Sequence, residues 1–168
     1  AADKRPSVQI GDPFTGKNYV LPSRGQQGIP GVSINTTRVG LEVYRVGDRS
    51  LANVIGSGDF DRQLYGYDLE TLRTRTGEKV YEGEMDVAQK LNEEVVTAFP
   101  VSETIGQLKP GAYAMIARPA DGADGENWNS LATQWFVVSD LGLMAFSGNT
   151  GVHAFVRSLA ETTSIAGA

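Results

Sequence analysis

The sequence predicts an all-β fold, a sandwich or barrel of antiparallel strands, on three observations. Apolar residues recur with a period of two in short runs. Turn residues break those runs at short intervals, and no long helical period separates them. Of 168 residues 40% are hydrophobic, enough to bury a core and exclude disorder, while 20 Gly and 7 Pro are scattered as punctuation. This length suits one domain, or one domain plus a fragment of another.

The strands are read in order. After a short run at Tyr19-Val20-Leu21, ended by Pro22, Val32-Ser33-Ile34-Asn35 alternates apolar and polar residues. Val39 to Val46 follows, with Val39, Leu41 and Val43 on one face. Gly47-Asp48-Arg49-Ser50 supplies a turn, after which Leu51 to Ile55 is expected to return as a hairpin partner. In Lys79 to Val87, Tyr81, Met85 and Val87 share an inner face, and Glu82, Glu84 and Asp86 an outer acidic one. Glu94 to Val101 groups Val95, Thr97 and Phe99; Ala112 to Pro119 groups Tyr113, Met115 and Ala117. Thr133 to Ser139 is β-branched and aromatic. A last hairpin joins Leu143–Phe146 to Val152–Ser158 through Ser147-Gly148-Asn149-Thr150-Gly151.

Helical signals are few. Asp68 to Thr74 suits one or two turns capped at Asp68, within an insertion from Gly56 to Gly77, and Ser102 to Ile105 suits a single turn. Leu108-Lys109-Pro110-Gly111-Ala112-Tyr113 puts a Pro-Gly turn before a strand whose first inward residue is Tyr. That is the pattern of a tyrosine corner, in which the hydroxyl bonds backbone a few residues upstream.

No catalytic constellation is visible, so no catalytic, cofactor-binding or metal-ligating residue is assigned. With no Cys, disulfides, thiolate catalysis and cysteine zinc sites are excluded. The net charge of −5 disfavours non-specific binding to nucleic acid or anionic lipid. Gly11 to Asn18 matches a P-loop up to Lys17, but Asn18 replaces the magnesium-binding hydroxyl and a strand follows where a helix must begin. Gly25, Gly28 and Gly31 read as loop glycines, and Gly56-Ser57-Gly58 as a turn. His153, the only histidine, reads as a surface or interface imidazole. Asp59 and Asp61 form a carboxylate cluster, and the strand carboxylates Glu82, Glu84 and Asp86 read as solubilising an outer face. Asp121, Asp124 and Glu126 lack the spacing of a calcium loop. Arg73, Arg75 and Lys79 form a basic cluster read as a solvated face, and Asn35-Thr36-Thr37 matches a glycosylation sequon. No apolar run reaches the roughly 20 residues of a membrane-spanning helix. Ala1 to Arg5 carries no apolar signal core, which suits a mature protein or an excised piece.

The Leu108-to-Tyr113 turn, together with Ala132-Thr133-Gln134-Trp135-Phe136-Val137-Val138-Ser139-Asp140-Leu141-Gly142-Leu143 and the hairpin to Leu159, resembles the macroglobulin-domain junctions of bacterial α2-macroglobulins. There such a strand closes one domain and the following hairpin opens the next. The distinctive likeness covers roughly the last third of the chain; Leu41–Val46 and Tyr81–Met85 agree in pattern. The resemblance implies a seven-stranded antiparallel β-sandwich over 1–140, of Ig- or fibronectin-like architecture, with 141–168 as truncated opening strands of the following domain. It implies a non-catalytic scaffold of a periplasmic protease trap, anchored to the inner membrane through its parent chain. Its partners would be the neighbouring macroglobulin domains and, indirectly, the trapped protease; the isolated fragment would be monomeric. The Cys-Gly-Glu-Gln thioester motif is absent, so this is not the family's reactive domain. Trp135, Tyr113, Phe99, Leu41 and Val43 are the expected core of a two-layer stack. The alternative is a carbohydrate-binding or adhesion module using Trp128 and the 120–130 loop.

Overall fold

The computed structural model describes residues 4–11, 19–21, 28–101, 108–120, 131–159, 161 and 164–165. The strands are β1 (Ser7–Ile10), β2 (Tyr19–Leu21), β3 (Gly28–Ile34), β4 (Arg38–Val46), β5 (Gly77–Asp86), β6 (Val95–Pro100), β7 (Gly111–Pro119), β8 (Ala132–Val138), β9 (Leu141–Gly148) and β10 (Gly151–Ser158). They form a three-stranded sheet ordered β1-β3-β6, a five-stranded sheet ordered β2-β8-β7-β4-β5, and a separate β9-β10 hairpin. The fold is all-β and built of antiparallel sheets, as the sequence predicts. The two larger sheets hold three plus five strands, close to the seven that the resemblance implies. One pairing departs from the antiparallel rule: β2 runs parallel to β8, Tyr19 opposite Phe136.

Period-two patterning explains the interior. Val39, Leu41 and Val43 of β4, Tyr113, Met115 and Ala117 of β7, and Phe136 and Val138 of β8 all point toward the small sheet. There they meet Ile10, Ile29 and Phe99 in one buried cluster. Tyr113 stacks on Phe136 with ring centroids 5.2 Å apart, and its hydroxyl donates to the Lys109 carbonyl at 2.5 Å, the tyrosine corner the sequence predicts. The partly buried Tyr81 and Met85 of β5 pack on the same cluster, while Glu82, Glu84 and Asp86 face water.

Gly28 and Gly31 are strand residues of β3, not loop glycines. A Cβ at Gly31 would lie 2.0 Å from Cε2 of Phe99, so the absent side chain is what lets the Phe99 ring lie across the strand. Gly-Ile-Pro-Gly lowers local strand propensity, which hides the strand from a reading by residue type.

Two expectations are corrected between β4 and β5. Residues 51–55 are not a hairpin partner but part of helix α1 (Asp48–Gly56). Leu51 and Val54 share its buried side at a spacing of three, and Asp48 places a negative charge in the first turn, where the helix dipole favours it. The partner of β4 is β5, entered only after the insertion, with Val46 opposite Gly77. A second helix, α2 (Gly66–Thr71), passes into a π-helical turn at Leu72–Thr76. Asp68 is not its cap. It lies inside the first turn and accepts the Tyr65 N–H at 2.9 Å.

These helices lie against the outer face of the five-stranded sheet, so the two-layer stack is corrected to three layers in this half of the molecule. Tyr44, Val46, Ala112, Ala114, Ile116 and Trp135 on the sheet bury against Val54, Leu64, Leu69 and Leu72 of the insertion. β7 therefore buries both faces, Ala112 to Ala117 without interruption. Trp135 is core, as expected, but in this outer cluster, tilted against Phe60 at 5.2 Å. Its indole N–H donates to the Arg62 carbonyl at 2.9 Å.

Candidate functional site

Among the described residues, the one buried charged side chain, Glu42, lies where the insertion meets the sheet. Alternation along β4 sends Glu42 to the outer face with Tyr44, while Leu41 and Val43 point inward. An outward strand residue beside a water-facing acidic strand reads as solvated from sequence. Here Glu42 is 5% exposed. Arg73, carried on the π-helical turn, reaches down so that Nη2 lies 2.8 Å from both carboxylate oxygens, and its Nε donates to the Tyr44 hydroxyl at 2.9 Å. Tyr44 in turn donates to Glu42 Oε2, and Arg118 of β7 donates to Oε1.

One carboxylate is thus shared by β4, β7 and the insertion. Burial pushes its pKa up, but the Tyr44 hydroxyl and the Arg73 and Arg118 guanidinia outweigh that and hold it below the ordinary carboxylate value. Tyr44 is pushed the other way, first by burial and then by its bond to Glu42. The Arg73 guanidinium is held more firmly protonated than usual by its bonds to Glu42 and Tyr44. A carboxylate below its ordinary range and occupied at both oxygens is a poor general base. Its chemistry here is to bind cations and hold elements together.

Of the residues the sequence singled out, Arg73 is exposed, as a solvated face requires, but its guanidinium also bonds the buried Glu42. Lys79 pairs with Glu82 at 2.6 Å on the exposed surface, and Arg75 is exposed. Asp59 accepts from Ser57 and Arg62, and Arg62 also reaches Asp68 at 2.9 Å. Glu84 pairs with Arg38 across the sheet edge at 2.8 Å. His153 is exposed on β10, its Nε2 3.0 Å from Thr150 Oγ1.

Asn35 stands at positive φ, with its amide donating to the Lys4 carbonyl at 2.7 Å and to Asn92 Oδ1 at 2.9 Å. Thr36 beside it is 1% exposed, while Asn35 is partly buried and Thr37 exposed. The strand β2 stands where a P-loop requires a helix. Residues 12–18, Gly25, the turn expected at 102–105, Trp128 and the carboxylates at 121, 124 and 126 lie outside the described residues. Among the described residues no group of three or more His, Asp or Glu is arranged to hold a metal, and no helix is long and apolar enough to cross a membrane.

The other unusual surface is the hairpin. Its side chains alternate between two faces, and both carry large apolar groups. Leu141, Leu143 and Val152 lie on one; Met144, Phe146 and Phe155 lie on the other, all at least 45% exposed. Phe146 and Phe155 meet edge to face at 6.0 Å.

Comparison with known proteins gives a consistent set of likenesses. The family model described as the bacterial alpha-2 macroglobulin MG2 domain matches residues 13–136. An alpha-2-macroglobulin of Xylella fastidiosa strain Temecula1 is 28% identical over 138 residues, covering 79% of this chain. That of Escherichia coli K12 is 24% identical over 157 residues, covering 94%. The chain spans only 8% and 9% of those relatives' lengths. Native E. coli alpha-2-macroglobulin spanning domains MG0-NIE-MG1 superposes with a TM-score of 0.69 at 21% identity, over 97% of this chain and 48% of that one. The trypsin-activated E. coli protein gives 0.68 at 23% identity, over 91% and 10%. At these identities the solved structures speak to the fold.

Proposed function

Because the chain belongs to the bacterial alpha-2 macroglobulin MG2 domain family, we propose that it is a non-catalytic structural module of a much larger protease-trapping inhibitor. Residues 1–140 are the sandwich, and 141–168 are the opening strands of the domain that follows. The module is a rigid body passing on the rearrangement that follows cleavage of a bait segment elsewhere in the parent. The same reading locates it in the periplasm, tethered to the inner membrane through that parent. Its partners are neighbouring macroglobulin domains directly and the trapped protease indirectly.

The observation that carries this reading is the contrast between a filled sandwich and an unfilled hairpin. The sandwich interior is occupied by side chains from both sheets, leaving rigidity as its chief physical property. The hairpin forms a sheet of its own and exposes apolar residues on both faces. Two strands bury too little to be stable alone, which supports reading them as part of a larger sheet of the next domain.

Ending the chain at residue 140 tests the boundary. The expected result is an unchanged urea midpoint, with loss of binding to a hydrophobic dye. A midpoint that drops would make the hairpin part of this domain. For the function, the parent protein is compared with and without residues 1–140 in an assay of protease capture. Deletion is expected to abolish capture, and undiminished capture would refute the scaffold role. Saturable quenching of tryptophan fluorescence by an oligosaccharide would instead support a sugar-binding module.

A further inference from the structure

We propose that residues 48–76 form a strap closed over the outer face of the five-stranded sheet and locked there by the Glu42 carboxylate, and that the strap opens as one unit while the sandwich beneath stays folded. Four observations lead there. The strap leaves and re-enters the sheet at a single neck, where Val46 pairs with Gly77 and the Gly47 N–H donates to the Thr76 carbonyl at 2.9 Å. Opening therefore requires no strand to leave a sheet. Its apolar contacts form a cluster separate from the sandwich interior, on the opposite face of the same strands.

Beyond the neck, among the described residues, its backbone bonds the sheet at Arg62 and Leu64: the Arg62 carbonyl accepts the Trp135 indole N–H at 2.9 Å, and the Leu64 N–H donates to Thr133 Oγ1 at 3.1 Å. There the Leu131 N–H meets the Leu64 carbonyl at 2.6 Å, supported by Gln63 exchanging bonds with the Thr133 backbone at 2.9 Å. Between neck and far end the polar attachment is the Glu42 lock. Its two sides differ in what water can do. The Arg73 side chain is 35% exposed and already partly hydrated, whereas Glu42, 6% exposed beneath the strap, meets water only when the strap lifts. Arg118 and Tyr44 stay on the sheet and keep the carboxylate ionised while the strap is open. A segment with its own cluster, one neck and few backbone bonds to the rest is the kind that opens locally at lower free energy than global unfolding. Asp59, Arg62 and Asp68 tie α1's end to α2 within the strap, so it moves as a piece rather than fraying.

Native-state hydrogen exchange on the whole 168-residue chain tests this. In Glu42→Gln, amides in 52–57 and 69–76 are expected to exchange at least tenfold faster. Those of β3, β6 and the inward stretch of β7 should be unchanged. In the unaltered chain the strap amides should show a weaker urea dependence than the β7 amides, the mark of partial opening. Arg73→Gln, altered at a partly exposed side chain, gives the same reading should Glu42→Gln fail to fold. Equal acceleration of strap and sandwich, no acceleration at all, or identical urea dependence for both would each overturn the strap.

Discussion

The two faces of the five-stranded sheet are built from alternate residues of the same strands, yet they are held in different ways. On the inner face, Leu41, Tyr113 and Phe136 meet a second sheet whose strands are themselves fixed by continuous ladders. On the outer face, Tyr44, Ile116 and Trp135 meet short helices fixed by a neck, a far contact and one shared carboxylate. Similar apolar burial therefore carries different cooperativity. The inner cluster reports on the whole domain, and the outer one on a part that answers to side-chain contacts.

Substitutions sharpen that contrast. The largest effect is expected from Phe99→Ala, which empties the inner cluster at a residue 2% exposed. It should cost about 3–5 kcal/mol and lower the urea midpoint of every probe together. Trp135→Ala should cost about 3 kcal/mol, with its loss read first in probes within 48–76. If both variants shift all probes equally, the two clusters are one cooperative unit and the contrast fails.

Acidification breaks the outer face selectively. Because the Glu42 carboxyl is held below its ordinary value of 4.5 in the folded chain, its contribution is fully present above that value. It is lost as pH falls through the depressed folded value. The unaltered chain should exceed Glu42→Gln by about 1.5–3 kcal/mol at pH 7, the scale of hydrogen bonds to a charged group. The difference should shrink as pH falls below 4.5, measured as urea midpoints of the two chains side by side. A difference independent of pH would remove the charge from the account. The smallest effect is expected at Tyr113→Phe, which keeps the ring and loses the bond to Lys109, about 1 kcal/mol by thermal unfolding.

Much of this was legible in the residues. The period of two in Val39–Val43 and Tyr113–Ala117 assigned the inward side chains, because a strand has only two faces and apolar residues take the dry one. The Pro-Gly-x-Tyr pattern announced the tyrosine corner, and the run from Trp135 to Leu143 carried the family likeness. Other features were not legible, for identifiable reasons. Gly31 read as a loop residue because what it accommodates, the Phe99 ring, lies far along the chain, and Gly28 because its strand partner at Pro100 is equally distant. Residues 51–55 read as a strand because four or five positions do not separate a period of two from one of three to four.

The sequence by itself determined an all-β sandwich or barrel, since alternation and turn chemistry are local and survive without partners, and the likeness of its last third pointed to the family. Only the tertiary structure decided that the outer face of the large sheet is covered, that Trp135 serves that cover, and that Glu42 is buried. An outward strand residue meets water or protein according to what the rest of the chain lays over it. That depends on contacts such as Arg73 to Glu42, spanning 31 residues, which no local pattern encodes.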